Sequence, residues 1–143
     1  MITDTPSVSQ LTQVISQAVA PAFILGALAA LIAVLVARQN RVVDRSQALN
    51  AIGGDDPAKV HLKSDLPRLK RRAALLNNAI LFSSISAIFA TLLVIVAFVI
   101  AFFGIQHERG VAVLFIVTLG LFAAALVNLA RETRIALHEF DYY

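Results

Sequence analysis

The chain alternates long apolar tracts with short polar stretches. No Asp, Glu, Lys or Arg lies between Asp4 and Arg38, between Arg72 and Glu108, or from Gly110 to Ala130. A hydrocarbon core of about 30 Å takes about 20 apolar helical residues, and each tract supplies them. A Lys or Arg at a span centre would cost roughly 2.5–3.5 kcal/mol, and no tract contains one. The pattern predicts an all-α integral membrane protein with three transmembrane helices, at 21–37, 75–103 and 111–130. The whole chain, 1–143, reads as a single membrane domain.

The polar stretches predict further elements. Residues 7–20 carry Val8, Leu11, Ile15 and Val19 at helical spacing, with Ser, Thr and Gln on the other side. Ser7 and Gln10 have the spacing of a capping box. This segment is expected to be a separate amphipathic helix that lies in the outer interface or caps the bundle, entering the first span at Pro21, where a proline suits a first helical turn. Gly53, Gly54, Asp55, Asp56 and Pro57 form turn chemistry, so 50–64 reads as the loop between helices. Ser64 or Asp65 is placed to cap the next helix, with Pro67 in its first turn. Helical patterning runs past the membrane after the first and third spans and before the second. Within the first span, Ala22, Gly26, Ala30, Ala33 and Ala37 form a small-residue stripe suited to close helix packing. The opposite face, with Phe23, Leu28, Leu31, Val34 and Leu35, is expected to face lipid.

Charge adds direction. The net charge is +3, and nine of the 12 basic residues lie from Arg38 to Arg72, with Arg131 and Arg134 after the third span and only Arg109 between the second and third. By the positive-inside rule, residues 38–74 form a basic cytoplasmic segment, the C-terminus is cytoplasmic and the N-terminus external. Arg38, Arg41, Arg45, Arg68, Lys70, Arg71, Arg72, Arg131 and Arg134 are expected to meet at one membrane face. There they are candidates for contact with anionic phospholipid or an acidic partner. Asp44 is spaced to pair with Arg41. Nucleic acid is not an expected partner, since no recognition motif or aromatic interleaving accompanies the charge.

Little points to catalysis. There is no cysteine. His61, His107 and His138 lack a ligand spacing, although His107 adjoins Glu108, and His138 lies near Glu139 and Asp141. No metal, cofactor or catalytic residue is expected. Gly53-Gly54 lacks the lysine and hydroxyl residue of a phosphate loop. Asn77, Asn78, Ser83, Ser84, Ser86, Thr91, Thr118 and Asn128 lie in the spans. They read as packing groups, with a pore lining as the competing role.

Four stretches resemble a family of small bacterial membrane proteins known only as a domain of unknown function. They are 19–24 (VAPAFI), 41–45 (RVVDR), 69–80 (LKRRAALLNNAI) and 131–137 (RETRIAL). The resemblance implies three membrane helices and no assigned activity. Residues and resemblance together suggest a non-enzymatic, multi-pass protein of a bacterial inner membrane. It would be a self-associating scaffold or an accessory subunit of a membrane complex, bound to itself or to another membrane protein. A homo-oligomeric ion or solute channel is the alternative.

Overall fold

A computed structural model describes residues 7–54, 57–106 and 108–138. Apart from the caps and the turns at 51–54 and 104–106, the described residues are helical: α1 (Val8–Asn50), a short α2 (Pro57–Val60) running through a 3-10 turn (His61–Asp65) into α3 (Leu66–Phe103), and α4 (Glu108–Leu137). Three of these helices are long and apolar enough to cross a membrane. The 43 residues of α1 span about 65 Å and the 38 of α3 about 57 Å, well beyond a bilayer core.

Helix α3 lies between the other two, antiparallel to both, while α1 and α4 touch each other little. All three bury side chains on one rhythm of seven residues. In α1 these are Pro21, Leu28, Leu35, Val42 and Leu49. In α4 they are Thr118, Ala125 and Glu132. As the middle helix, α3 buries two such series: Leu69, Leu76, Ser83 and Ala90, and Ala79, Ser86 and Leu93. A seven-residue period keeps one narrow seam facing a neighbour along the length of slightly supercoiled helices. Between α3 and α4 the register is fixed: Arg68 meets Ile135, Arg72 meets Glu132, and Ser86 meets Thr118.

Several expectations are corrected here. Residues 7–20 are not a separate element, since α1 runs unbroken through Pro21. The Ser7–Gln10 capping box does form, in both directions, but it starts the whole of α1. The supposed loop 50–64 contains α2 and the 3-10 turn, with Pro57 opening α2 as proline does at a first helical position. Ser64 donates its hydroxyl to the His61 carbonyl, and neither Ser64 nor Asp65 makes a side-chain cap for α3. Pro67 does lie in the first turn of α3. The turn between α3 and α4 is shorter than the gap between the expected spans, because Gly104 ends α3 in the left-handed conformation (φ 63°) and α4 begins at Glu108. Leu28 and Leu35 do not face outward; both are wholly buried.

The main apolar cluster lies at the end of the bundle nearer the α1–α3 connection. Leu35, Val42, Leu49, Leu69, Leu76 and Ala79 form it, and Ile52, Leu62 and Leu66 pack onto it. The short α2 segment is thus tied down from both sides. Elsewhere large apolar side chains face away from the chain, among them Phe23, Ile88, Ile95, Phe102 and Ile116. These outward side chains lie along the three helices that are long and apolar enough to cross a membrane.

Candidate functional site

The charge-free tract of α1 ends at Arg38, that of α3 begins after Arg72, and that of α4 ends at Arg131 and Glu132. The fold brings these three ends to one level, where Glu132 is completely buried (0% exposed) between the two arginines. Arg38 Nε donates to Glu132 Oε2 at 2.9 Å, with its Nη2 at 2.6 Å from the same oxygen. Arg72 takes the other oxygen, its Nε at 3.0 Å and Nη2 at 2.9 Å from Oε1. One carboxylate thus ties α1, α3 and α4 together, with each guanidinium closed on one oxygen. Charge-assisted bonds of this kind are what makes a buried carboxylate tolerable. The side chains of Arg72 and Arg38 are 15% and 32% exposed, so the clasp is sealed on the carboxylate and half-open on its cations.

One turn away, Arg68 donates to the Ile135 carbonyl at 2.8 Å. This satisfies a terminal carbonyl of α4 and places positive charge at the negative end of the helix dipole. Arg45 lies 4.0 Å from Asp65, at the surface. Of the nine basic residues read as one contact face, Arg38, Arg68 and Arg72 are therefore used inside the chain. Arg41, Lys70, Arg71, Arg131 and Arg134 remain exposed around the clasp. No ion pair joins Arg41 to Asp44 among the described residues.

The small-residue stripe lies on the outside. Ala22, Gly26, Ala30, Ala33 and Ala37 are all exposed, and a Cβ added at Gly26 would meet nothing within 4 Å. Packing within the chain uses the Leu28–Leu35 side of α1 instead.

The polar groups of the spans are mostly absorbed by the helices. Ser86 donates to the Thr118 carbonyl at 2.8 Å, and Thr118 donates to the Leu114 carbonyl at 2.7 Å. Thr91 and Asn128 bond back to carbonyls four residues earlier. Ser83 Oγ and Gln39 Oε1 are buried without a partner. Asn77 and Asn78 are exposed. His61 and His138 are exposed, while His107, Glu139 and Asp141 lie outside the described residues.

The grouping of basic residues along the sequence gives Glu132 no role of its own, whereas the fold makes it the shared partner of Arg38 and Arg72. A usable signal was there: Glu132 continues the seven-residue series of Thr118 and Ala125 and interrupts it with the series' only charge.

Fold and site together define an all-helical protein whose three long apolar helices are clasped at one end by a buried carboxylate. The chain belongs to the family described as protein of unknown function (DUF2721), whose model matches residues 18–142. No curated protein and no solved structure matches the chain.

Proposed function

We propose that this is a three-span protein of a bacterial inner membrane, with a periplasmic N-terminus and a cytoplasmic C-terminus. It works without catalysis, as a self-associating scaffold or an accessory subunit of a membrane complex. The observation that carries the membrane reading is the coincidence of the three tract ends at Glu132. Three charge-free stretches far apart in sequence stop at one level, and five free-standing basic side chains surround that level. A membrane boundary gives a reason for such a plane, and the basic side of it is cytoplasmic. The exposed arginines and lysine are then within reach of anionic headgroups, at about 1 kcal/mol of attraction each.

The scaffold reading rests on what remains outward. Three helices in one layer bury little of their own surface, and the face of α1 with the least side chain is open to a partner helix. Small residues let helix backbones approach closely in lipid. The channel alternative has less support, because Ser86 and Thr118 are hydrogen-bonded within the chain and Ser83 is buried in it, so none of the three is offered to a path between copies.

The test is the oligomeric state of Gly26→Leu and Ala30→Leu in mild detergent, by native mass spectrometry. Both variants should insert and keep the three-helix fold, since Gly26 and Ala30 are exposed and an added side chain meets no other part of the chain. They should shift the protein toward monomer or release a co-purifying subunit. Unchanged assembly in both would mean that the stripe faces lipid.

A further inference from the structure

The α1 seam that closes on α3 from Leu49 to Pro21 does not close beyond it. None of residues 7–20 is buried, although Val14 continues the inward series. The space left between this segment and the α3–α4 hairpin is a cleft of about 850 Å³. That is within the range of roughly 300–1,000 Å³ in which small-molecule sites fall. Gln10, Gln13 and Gln17 line one wall, while Phe98, Ile100 and Phe115 are on the other. No charged side chain lines it among the described residues.

The polarity of this segment is the reverse of a water-facing helix. Away from the cleft, Val8, Ile15, Val19 and Phe23 are exposed. The hydroxyls of Thr12 and Ser16 donate to the carbonyls of Val8 and Thr12 at 2.8 Å. Ser9 is paired with Ser7. The outward face therefore offers apolar side chains and hydroxyls that already have partners, which suits lipid. Gln10 uses its carbonyl oxygen in the capping box and keeps its amide N–H groups. Gln13 and Gln17 make no hydrogen bond among the described residues. The unspent hydrogen-bonding capacity of the segment is thus concentrated on the cleft wall.

We infer that the cleft between the first turns of α1 and the α3–α4 hairpin binds a neutral amphiphile. Its uncharged hydroxyl- or carbonyl-bearing head bonds the glutamine amides, and its apolar tail lies against the hairpin. Amides donate and accept equally and carry no charge, so they favour such a head over a phosphate, whose charge has no cation to meet here. The inference rests on the membrane reading above.

The test uses the full chain reconstituted in vesicles and a photoactivatable monooleoylglycerol as the probe, with the lysophosphatidylglycerol of the same tail for comparison. Flotation of the vesicles first establishes that the protein is membrane-embedded; failure to float overturns the membrane reading and this inference with it. With embedding established, the neutral probe should label saturably, on peptides covering 10–21 and 93–115. Gln13→Leu with Gln17→Leu should weaken binding about tenfold or more, as two lost hydrogen bonds would. Ala112→Trp, which fills the cleft from α4, should abolish it with the melting temperature held. Equal labelling by the phosphate-headed probe, label mapping elsewhere, or undiminished binding in both variants would overturn the inference while leaving the membrane reading intact.

Discussion

Glu132 has two cationic partners and no contact with water, which makes it the least replaceable side chain in the molecule. Glu132→Ala leaves two guanidinium groups facing each other across an emptied site. Removing one side of a buried ion pair costs roughly 3–5 kcal/mol, and a fall in melting temperature of the detergent-purified protein should report it. Arg72→Lys should lose part of that, because an ammonium cannot close a fork on one oxygen. Replacing all three residues together by Met and Leu should recover most of the loss, since no uncompensated charge remains. If Glu132→Ala melted like the parent, the clasp would be decorative. A second contrast lies between two buried serines one turn apart. Ser86→Ala removes a bond to the Thr118 carbonyl and should cost about 0.6 kcal/mol, the usual scale between membrane helices. Ser83→Ala removes a hydroxyl that has no partner, so it should be neutral or slightly stabilising. Both are read from chemical melts of the two single variants.

At the scale of elements, the apolar tracts made the helices plain and hid how they pack. Length and absence of charge are enough to mark three helices that could span a membrane, and Ser7–Gln10 and Pro67 mark real helix starts. The seam was harder to see. Leu28 and Leu35 are buried while Phe23 and Val34 are exposed, yet all four are large and apolar. Where lipid and protein interior are equally apolar, hydropathy carries no contrast between inward and outward faces. The stripe of Ala and Gly stood out by size alone, and size indicates where a helix could be approached, not what approaches it. Spacing is the cue that survives, because the seven-residue series holds through Pro21, Val42 and Thr118 regardless of polarity. Pro21 suits a helix start but lies inside α1: an interior proline removes one backbone bond and crowds the carbonyl four residues back, and here that does not end the helix. Leu35 and Gly26 now give opposite predictions. Leu35→Ala leaves a cavity in the main cluster and should destabilise the isolated chain by about 2 kcal/mol or more. Gly26→Leu should leave that stability unchanged and alter assembly only. Thermal melts of the two variants, taken as monomers, separate these outcomes.

Taken as one object, the protein has a strongly basic end and an opposite end with few charges, and the basic residues are legible in the sequence as a group, though not in their separate roles. Sequence position could not tell Arg72, spent on Glu132, from its neighbour Arg71, which is exposed. That distinction arises only when α4 comes alongside α3. It sharpens one prediction: Arg41→Gln together with Arg71→Gln should reduce anionic phospholipid retained in native mass spectra, with insertion and melting unchanged. Retention at the parental level would assign lipid contact elsewhere. The central claim is that the plane of Glu132 marks the cytoplasmic boundary of three spans. The chain has no cysteine, so single cysteines can report it without background. Ser9→Cys, Gly54→Cys, Gln106→Cys and His138→Cys are each treated with a membrane-impermeant maleimide, in intact cells whose outer membrane has been permeabilised. The account predicts labelling at positions 9 and 106, and labelling at 54 and 138 only after the inner membrane is broken. Labelling of position 54 or 138 in intact cells, or protection of 9 and 106, would contradict it.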